Sequence, residues 1–388
     1  MKKLVLIAVI LCASWGMARA QLVSTFMTGN GLNGPDGFAL DTAQNLYVAN
    51  WGGGTGNTVL KVTPSAVSDT FDNSSSAPDG LAFDEEGNLY VSNYASGIIH
   101  KITPTGSKTV YASGFINPSA LAFDTAGNLY VSNNGSTTVS RISPGGSVSV
   151  FATGFSAPLG LVFDPAGNLY VSSYNTGKVH KVAPDGSVTL FATVPNGSTS
   201  RIQYLARGQS GNLYLPAYGH HKIYRISPSG TVSVLAGTGV PGSRDGSVDS
   251  ARFNGPNSIV ITPGGDLFVS EYNANRIRRI TGVEFPLGEG GSNMETHAAG
   301  YLLQNYPNPF NALTTIPYRL SVTGKTEVRI YDTYGTEVWR QEAPVSGAGN
   351  HSVILPPGAV RIGLYIIRLY VNGKLSGTRK TVCINPAF

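Results

Sequence analysis

Five aromatic residues, Trp51, Tyr94, Tyr174, Tyr218 and Tyr272, each follow a short apolar run at the same point of a recurring phrase. Asn50 and Asn93 close two of those runs, Glu271 closes another, and Asn133 closes the matching run ahead of Asn134. Aromatic faces beside carboxamides offer apolar contact and hydrogen bonds together, which suits a glycan, a peptide or another protein. Asp36 and Asp79 recur in a second phrase, PDG, and with Glu271 they are the carboxylates best placed to act together. His220 and His221 stand side by side in a polar stretch, where two neighbouring histidines are more often solvated than functional. No Gly-x-Ser-x-Gly elbow, His-Glu-x-x-His helix, cysteine-pair metal motif or phosphate loop occurs.

The elements that must position these residues follow from repetition. NLYV begins at Asn45, Asn88, Asn128 and Asn168, NLYL at Asn212 and DLFV at Asp266, at spacings of 43, 40, 40, 44 and 54 residues. A period of about 40 to 45 residues made of short strands marks a β-propeller with one four-stranded blade per repeat. In the repeat at 118–151, strand A is expected at 121–124, B at 129–132, C at 139–142 and D at 148–151. LVSTFMT at 22–28 resembles a D strand with no A to C before it, and the last repeat has A to C with no D. The N-terminal strand therefore completes a sixth blade and closes the ring, which removes exposed edges.

The start of strand A and the end of strand B share one edge of an antiparallel blade. Three columns then meet at one mouth. They read Asp36, Asp79, Ser119, Leu159, Gln203, Asn257; then Asn50, Asn93, Asn133, Ser173, Ala217, Glu271; then Trp51, Tyr94, Asn134, Tyr174, Tyr218, Tyr272. The insertion at 237–255, with Asp245 and Asp249, is expected to overhang the same mouth. Asp41, Asp84, Asp124 and Asp164 lie at the A–B turn and read as turn caps. His100 and His180 share a strand-C column with Ser140 and Tyr224 and read as blade surface.

Residues 1–20 pair a basic start, Lys2-Lys3, with a short apolar stretch and Ala18-Arg19-Ala20, the pattern of a secretory signal peptide. Its loss reduces the formal charge from +5 to +2, and no Lys/Arg run occurs, which argues against nucleic-acid binding. Of the two cysteines only Cys383 would remain, so stability must come from burial and sheet hydrogen bonds. A membrane span in the mature chain is not expected.

PDGLAFDEEGNLYVSNY at 78–94 and the segment 236–282 resemble NHL-repeat propellers and the gluconolactonase-like superfamily. That resemblance implies an all-β six-bladed propeller over 22–282. It also implies, as an alternative to binding, a lactonase or other hydrolase using a divalent cation such as Ca²⁺, with Asp36, Asp79, Asn93, Asn133 and Glu271 approximating the shell. A resemblance to streptogramin lyases would instead pair His220 or His221 with Glu271. After a linker at 283–300, the phrases NYPNPFN, VRIYDTYG and GLYIIRL, with Lys380, resemble the C-terminal sorting domain of type IX secretion cargo. The resemblance implies a small Ig-like β-sandwich over 301–388, the type IX machinery as a partner, and release or anchoring at the cell surface.

Overall fold

A computed structural model describes residues 21–284, 300–303, 305, 310, 313–332 and 336–383. The expected signal peptide, most of the expected linker and most of the NYPNPFN phrase lie outside the described residues. The chain divides into two compact units, one spanning Gln21–Glu284.

That unit holds six blades. Strand A is Pro35–Leu40, Pro78–Phe83, Pro118–Phe123, Pro158–Phe163, Ala206–Arg207 and Pro256–Ile261 in blades one to six. Within each blade neighbouring strands pair antiparallel in chain order. Each strand A meets strand A of the next blade, and the last meets the first, so the ring is closed. Leu22–Thr28 pairs with Arg276–Ile280 and supplies the missing outer strand of blade six. The insertion does not overhang the mouth. Gly246–Ser247 instead adds a further strand to the outer edge of blade six, pairing with Leu22 and Val23. Asp245 fastens it there, accepting from the Thr25 amide at 3.0 Å and the Arg278 guanidinium at 2.6 Å.

The repeated phrase explains the packing. Its tyrosine stands edge-on between an aromatic of its own strand D and the phenylalanine of the next strand A. Tyr90 lies 4.8 Å from Tyr111 and 5.0 Å from Phe123, and Tyr130 lies 4.8 Å from Phe151 and 5.0 Å from Phe163. Such T-shaped contacts add to area burial and join neighbouring blades. The serine that follows ties the blades by a polar bond. Ser92 and Ser132 each donate at 2.6 Å to a strand-A carbonyl of the next blade, and Ser172 donates at 2.6 Å to the Gln203 carbonyl ahead of strand A in blade five. The asparagine caps the A–B turn, with Asn88 donating from both amides to Asp84 at 2.8 Å.

Blade five lacks that turn aspartate and carries Gly208 instead. The Glu284 carboxylate fills the gap, occupying the space a Cβ on Gly208 would need. It accepts from the Ser210 amide at 3.0 Å, the Ser210 hydroxyl and the Tyr214 phenol at 2.8 Å. Glu284 also donates its amide to the Gly265 carbonyl at 2.9 Å. Repetition ends at Gly282, yet the chain stays bound to the propeller through Glu284.

In the second unit, Gly300–Leu302, Thr314–Leu320 and Gly349–Leu355 form one antiparallel sheet. Glu337–Ser346, Gly324–Tyr331, Gly363–Val371 and Lys374–Cys383 form another. Ile316, Leu320 and Leu355 from the first and Val328, Ile367 and Leu369 from the second share one core, which makes a β-sandwich. Among the described residues no helix is long and apolar enough to cross a membrane.

Candidate functional site

Every blade builds its rim by the same backbone device. The residue just before strand A is left-handed in five blades, Gly34, Ala77, Asn117, Ala157 and Gly255, and Arg201 takes that place ahead of the shorter strand A of blade five; all six have φ between 46° and 66°. Its carbonyl accepts the amide of the rim residue, Trp51, Tyr94, Asn134, Tyr174, Tyr218 or Tyr272, at 2.9–3.2 Å. A left-handed residue with a side chain costs roughly 1–2 kcal/mol, so four blades accept strain to fix the rim. Glycine is required at the other two. A Cβ on Gly34 would lie 2.8 Å from the Tyr272 ring, and one on Gly255 would lie 2.8 Å from the Tyr218 ring.

Strand A then bulges. Pro118 pairs with Asn133 and pairing resumes at Leu121 with Val131; the same shift follows Pro35, Pro78, Pro158 and Pro256. Strand A therefore begins three residues earlier than hydrophobic alternation suggested, because the bulge breaks the alternation. A bulge re-aims the side chains within it. Asp36, Asp79, Leu159 and Asn257 thereby join the six rim residues around one cavity of about 290 Å³, which Arg201 and Gln203 of blade five also line.

The structure thus brings together Asp36, Asp79, Trp51, Tyr94, Tyr174, Tyr218 and Tyr272. It does not bring Asn50, Asn93, Asn133 or Glu271 to them. Successive strand residues point to opposite faces, and these four side chains face the D–A loop and strand C. Asn50 accepts the Asn33 amide at 3.0 Å and Asn93 the Ser76 amide at 2.8 Å. Asn133 donates to Thr138 and Ser140 at 3.0 and 2.9 Å. Glu271, fully buried, accepts the Asn254 amide at 2.8 Å and lies 3.2 Å from the Arg278 guanidinium. Burial raises the Glu271 carboxyl and Arg278 works against that rise.

The two histidines also lie apart from the cavity lining. His220 meets the Tyr224 phenol at 3.0 Å, and His221 accepts the Gly255 amide at 3.2 Å. Burial lowers both imidazoles. Among the described residues no group of three or more His, Cys, Asp or Glu is placed to hold a metal ion.

Asp36 and Asp79 form the acidic floor, 8% and 6% exposed. Burial first, then the Asp79 charge, holds the Asp36 carboxyl well above its ordinary value; bonds from Asn257 and Tyr204 oppose the rise. Burial pushes the Asp79 carboxyl up to about 6, against bonds from Tyr204 and Ser119. Ser119 donates to Asp79 at 3.1 Å, and the Tyr204 phenol donates to the same oxygen. Tyr204 belongs to blade five and Asp79 to blade two, so Tyr204 reaches across the ring axis. The signal for it was readable: Gly37, Gly80, Ala120, Gly160 and Ser258 are small at that position, and blade five alone is bulky. The small residues allow close approach, since a Cβ on Gly37 would lie 2.0 Å from the Asp79 carbonyl.

Above the floor the aromatics contact one another. Trp51 lies 5.8 Å from both Tyr94 and Tyr272, and Tyr218 lies 6.3 Å from Tyr272. Arg201, Gln203, Asn257, Asn134 and Leu159 were not among the sequence candidates. Four of these belong to the columns that frame the mouth. Arg201 is the blade-five equivalent of the left-handed residue, disguised because Ile202 replaces the proline that follows it in the other blades.

Residues 62–245 match the model of the Virginiamycin B lyase family, and residues 304–385 match that of the secretion system C-terminal sorting domain. No curated protein matches the sequence. Among solved structures the chain is similar to an auxiliary nutrient binding protein from Bacteroides thetaiotaomicron, at 16% identity and TM-score 0.59 over 67% of this chain and 76% of that one. It is also similar to virginiamycin B lyase from Staphylococcus aureus, at 17% identity and TM-score 0.52 over 66% and 84%. A gluconolactonase from Xanthomonas campestris gives 15% identity and TM-score 0.54 over 67% and 89%. At these identities the structures share a fold. The chain is a secreted or cell-surface protein built on a β-propeller similar to the virginiamycin B lyase and gluconolactonase-like propellers, and it carries a type IX secretion C-terminal sorting domain.

Proposed function

We propose that the propeller captures a small polar ligand outside the cell, in the cavity at its mouth. The observation that carries this reading is the buried pair Asp36 and Asp79 beneath a nearly complete aromatic rim. Neither carboxylate has a salt-bridge partner among the described residues, and burial disfavours their charge. A fold keeps such a pair at a stability cost when the pair serves a ligand. A volume near 290 Å³ is at the small end for ligand sites, so it admits a small molecule or the tip of a glycan or peptide rather than a folded surface. The nutrient-binding propellers of similar fold are consistent with capture.

A second reading, a lactonase or lyase, draws on Asp79. A carboxyl near pH 6 can give or take a proton near neutrality. Thermal melting of the full chain from Gln21, with small-molecule and oligosaccharide panels and with Ca²⁺ after EDTA, separates the two. A ligand at about 100 times its Kd adds about 2.7 kcal/mol to the folded state. Capture predicts a shift with an organic ligand that Trp51→Ala removes. A shift with Ca²⁺ alone, lost in Asp79→Asn, would favour the hydrolase.

A further inference from the structure

The chemistry of the floor narrows the ligand, on the reading that the mouth is a capture site. The hydroxyls of Ser119 and Tyr204 already donate to Asp79, so the floor presents acceptors. The Asn257 side chain, 5% exposed, lines the cavity, and its Oδ1 has no hydrogen-bond partner among the described residues. Two carboxylates and one free carboxamide oxygen match the three N–H donors of a primary ammonium. Its positive charge would also relieve the repulsion between Asp36 and Asp79. The aromatic faces above attract a cation further. Arg201 lines the same cavity from blade five, which lies across the ring from blade two and Asp79. A positive group on that side calls for an anionic group on the ligand.

We propose that the cavity recognises a zwitterionic amino compound, an amino acid or short peptide, seating its ammonium on Asp36, Asp79 and Asn257 and turning its carboxylate toward Arg201. A neutral sugar would use the same aromatics but leave the acceptor-only floor and Arg201 half-matched.

Calorimetric titration of the full chain from Gln21 tests this with alanine, Ala–Ala, N-acetyl-Ala–Ala, Ala–Ala amide and maltose. Ala–Ala or alanine binds, and which is tighter separates the two sources of the chemistry. N-acetylation weakens binding at least tenfold. Amidation weakens it severalfold in the natural chain and not in Arg201→Gln. Asp36→Asn combined with Asp79→Asn abolishes binding while the protein still melts cooperatively. Equal affinity for the free and acetylated dipeptides would overturn the proposal, and so would a response to none of these probes. Maltose binding that Trp51→Ala abolishes would overturn it too, while leaving capture at the mouth intact. Binding of any probe that survives Trp51→Ala would place the ligand elsewhere and overturn both.

Discussion

Replacing Asp79 with asparagine should make this protein more stable at neutral pH. The folded-state value of about 6 stands above the ordinary 3.8, so between those values the folded protein holds a proton that the unfolded chain has released. Stability from that proton is fully present below about pH 4 and is lost as pH rises through about 6. The gap between 3.8 and about 6, at about 1.36 kcal/mol per pH unit, gives about 3 kcal/mol. The asparagine side chain would keep the Ser119 and Tyr204 hydroxyls as donors to its amide oxygen and remove the charge that opposes Asp36. The variant should therefore gain up to about 3 kcal/mol at pH 7 and almost nothing at pH 4. For a unit of this size the gain corresponds to roughly 6–12 °C in Tm. Asp72, Asp84, Asp164 and Asp245 are all held below their ordinary values, so their contribution falls in acid. Both proteins share that loss, and it cancels in the difference. Differential scanning calorimetry of the natural chain and Asp79→Asn at pH 4 and pH 7 gives the comparison. A Tm at pH 7 that is unchanged or lower in the variant would refute the reasoning, as would a difference that does not depend on pH.

Three further outcomes are expected. Ala–Ala affinity should rise as pH rises through about 6, where the Asp79 carboxyl on the cavity floor gives up its proton; a flat calorimetric profile would count against the ammonium. Glu284→Ala leaves the Ser210 amide and Tyr214 phenol without their acceptor and should cost about 1–3 kcal/mol in a urea titration. Glu271→Gln strips the buried Arg278 of its inner partner and should cost about 3 kcal/mol, softened by Asp245, yet leave ligand affinity at the mouth unchanged.

The six-fold repetition was legible because most blades repeat the same aromatic between sheets, the same serine across the seam and the same Asn–Asp turn. The closure by Leu22–Thr28 was legible because a lone D-strand phrase had only one blade to complete. The cavity was half legible. The aromatics and the two aspartates share columns that topology brings to one mouth, so type and place pointed the same way. Asn50, Asn93, Asn133 and Glu271 misled because one residue along a strand reverses the face, and those side chains serve the loop beneath the rim. Arg201 was hidden because Ile202 replaces the proline that marks this position in the other blades, whereas Tyr204 stood out as the one bulky residue in a column of small ones. Glu284 was invisible to repetition, since it replaces a turn aspartate from the far end of blade six.

Trp51 offers the most direct test of the central claim that the mouth is the binding site. The chain from Gln21 contains two tryptophans, Trp51 and Trp339, so Trp339→Phe leaves the rim residue as the sole reporter. Titrating that protein with Ala–Ala while recording Trp51 emission should give a saturable change whose midpoint equals the calorimetric Kd and which disappears when Asp36 and Asp79 are both replaced by asparagine. Calorimetric binding with no change in Trp51 emission would contradict the account.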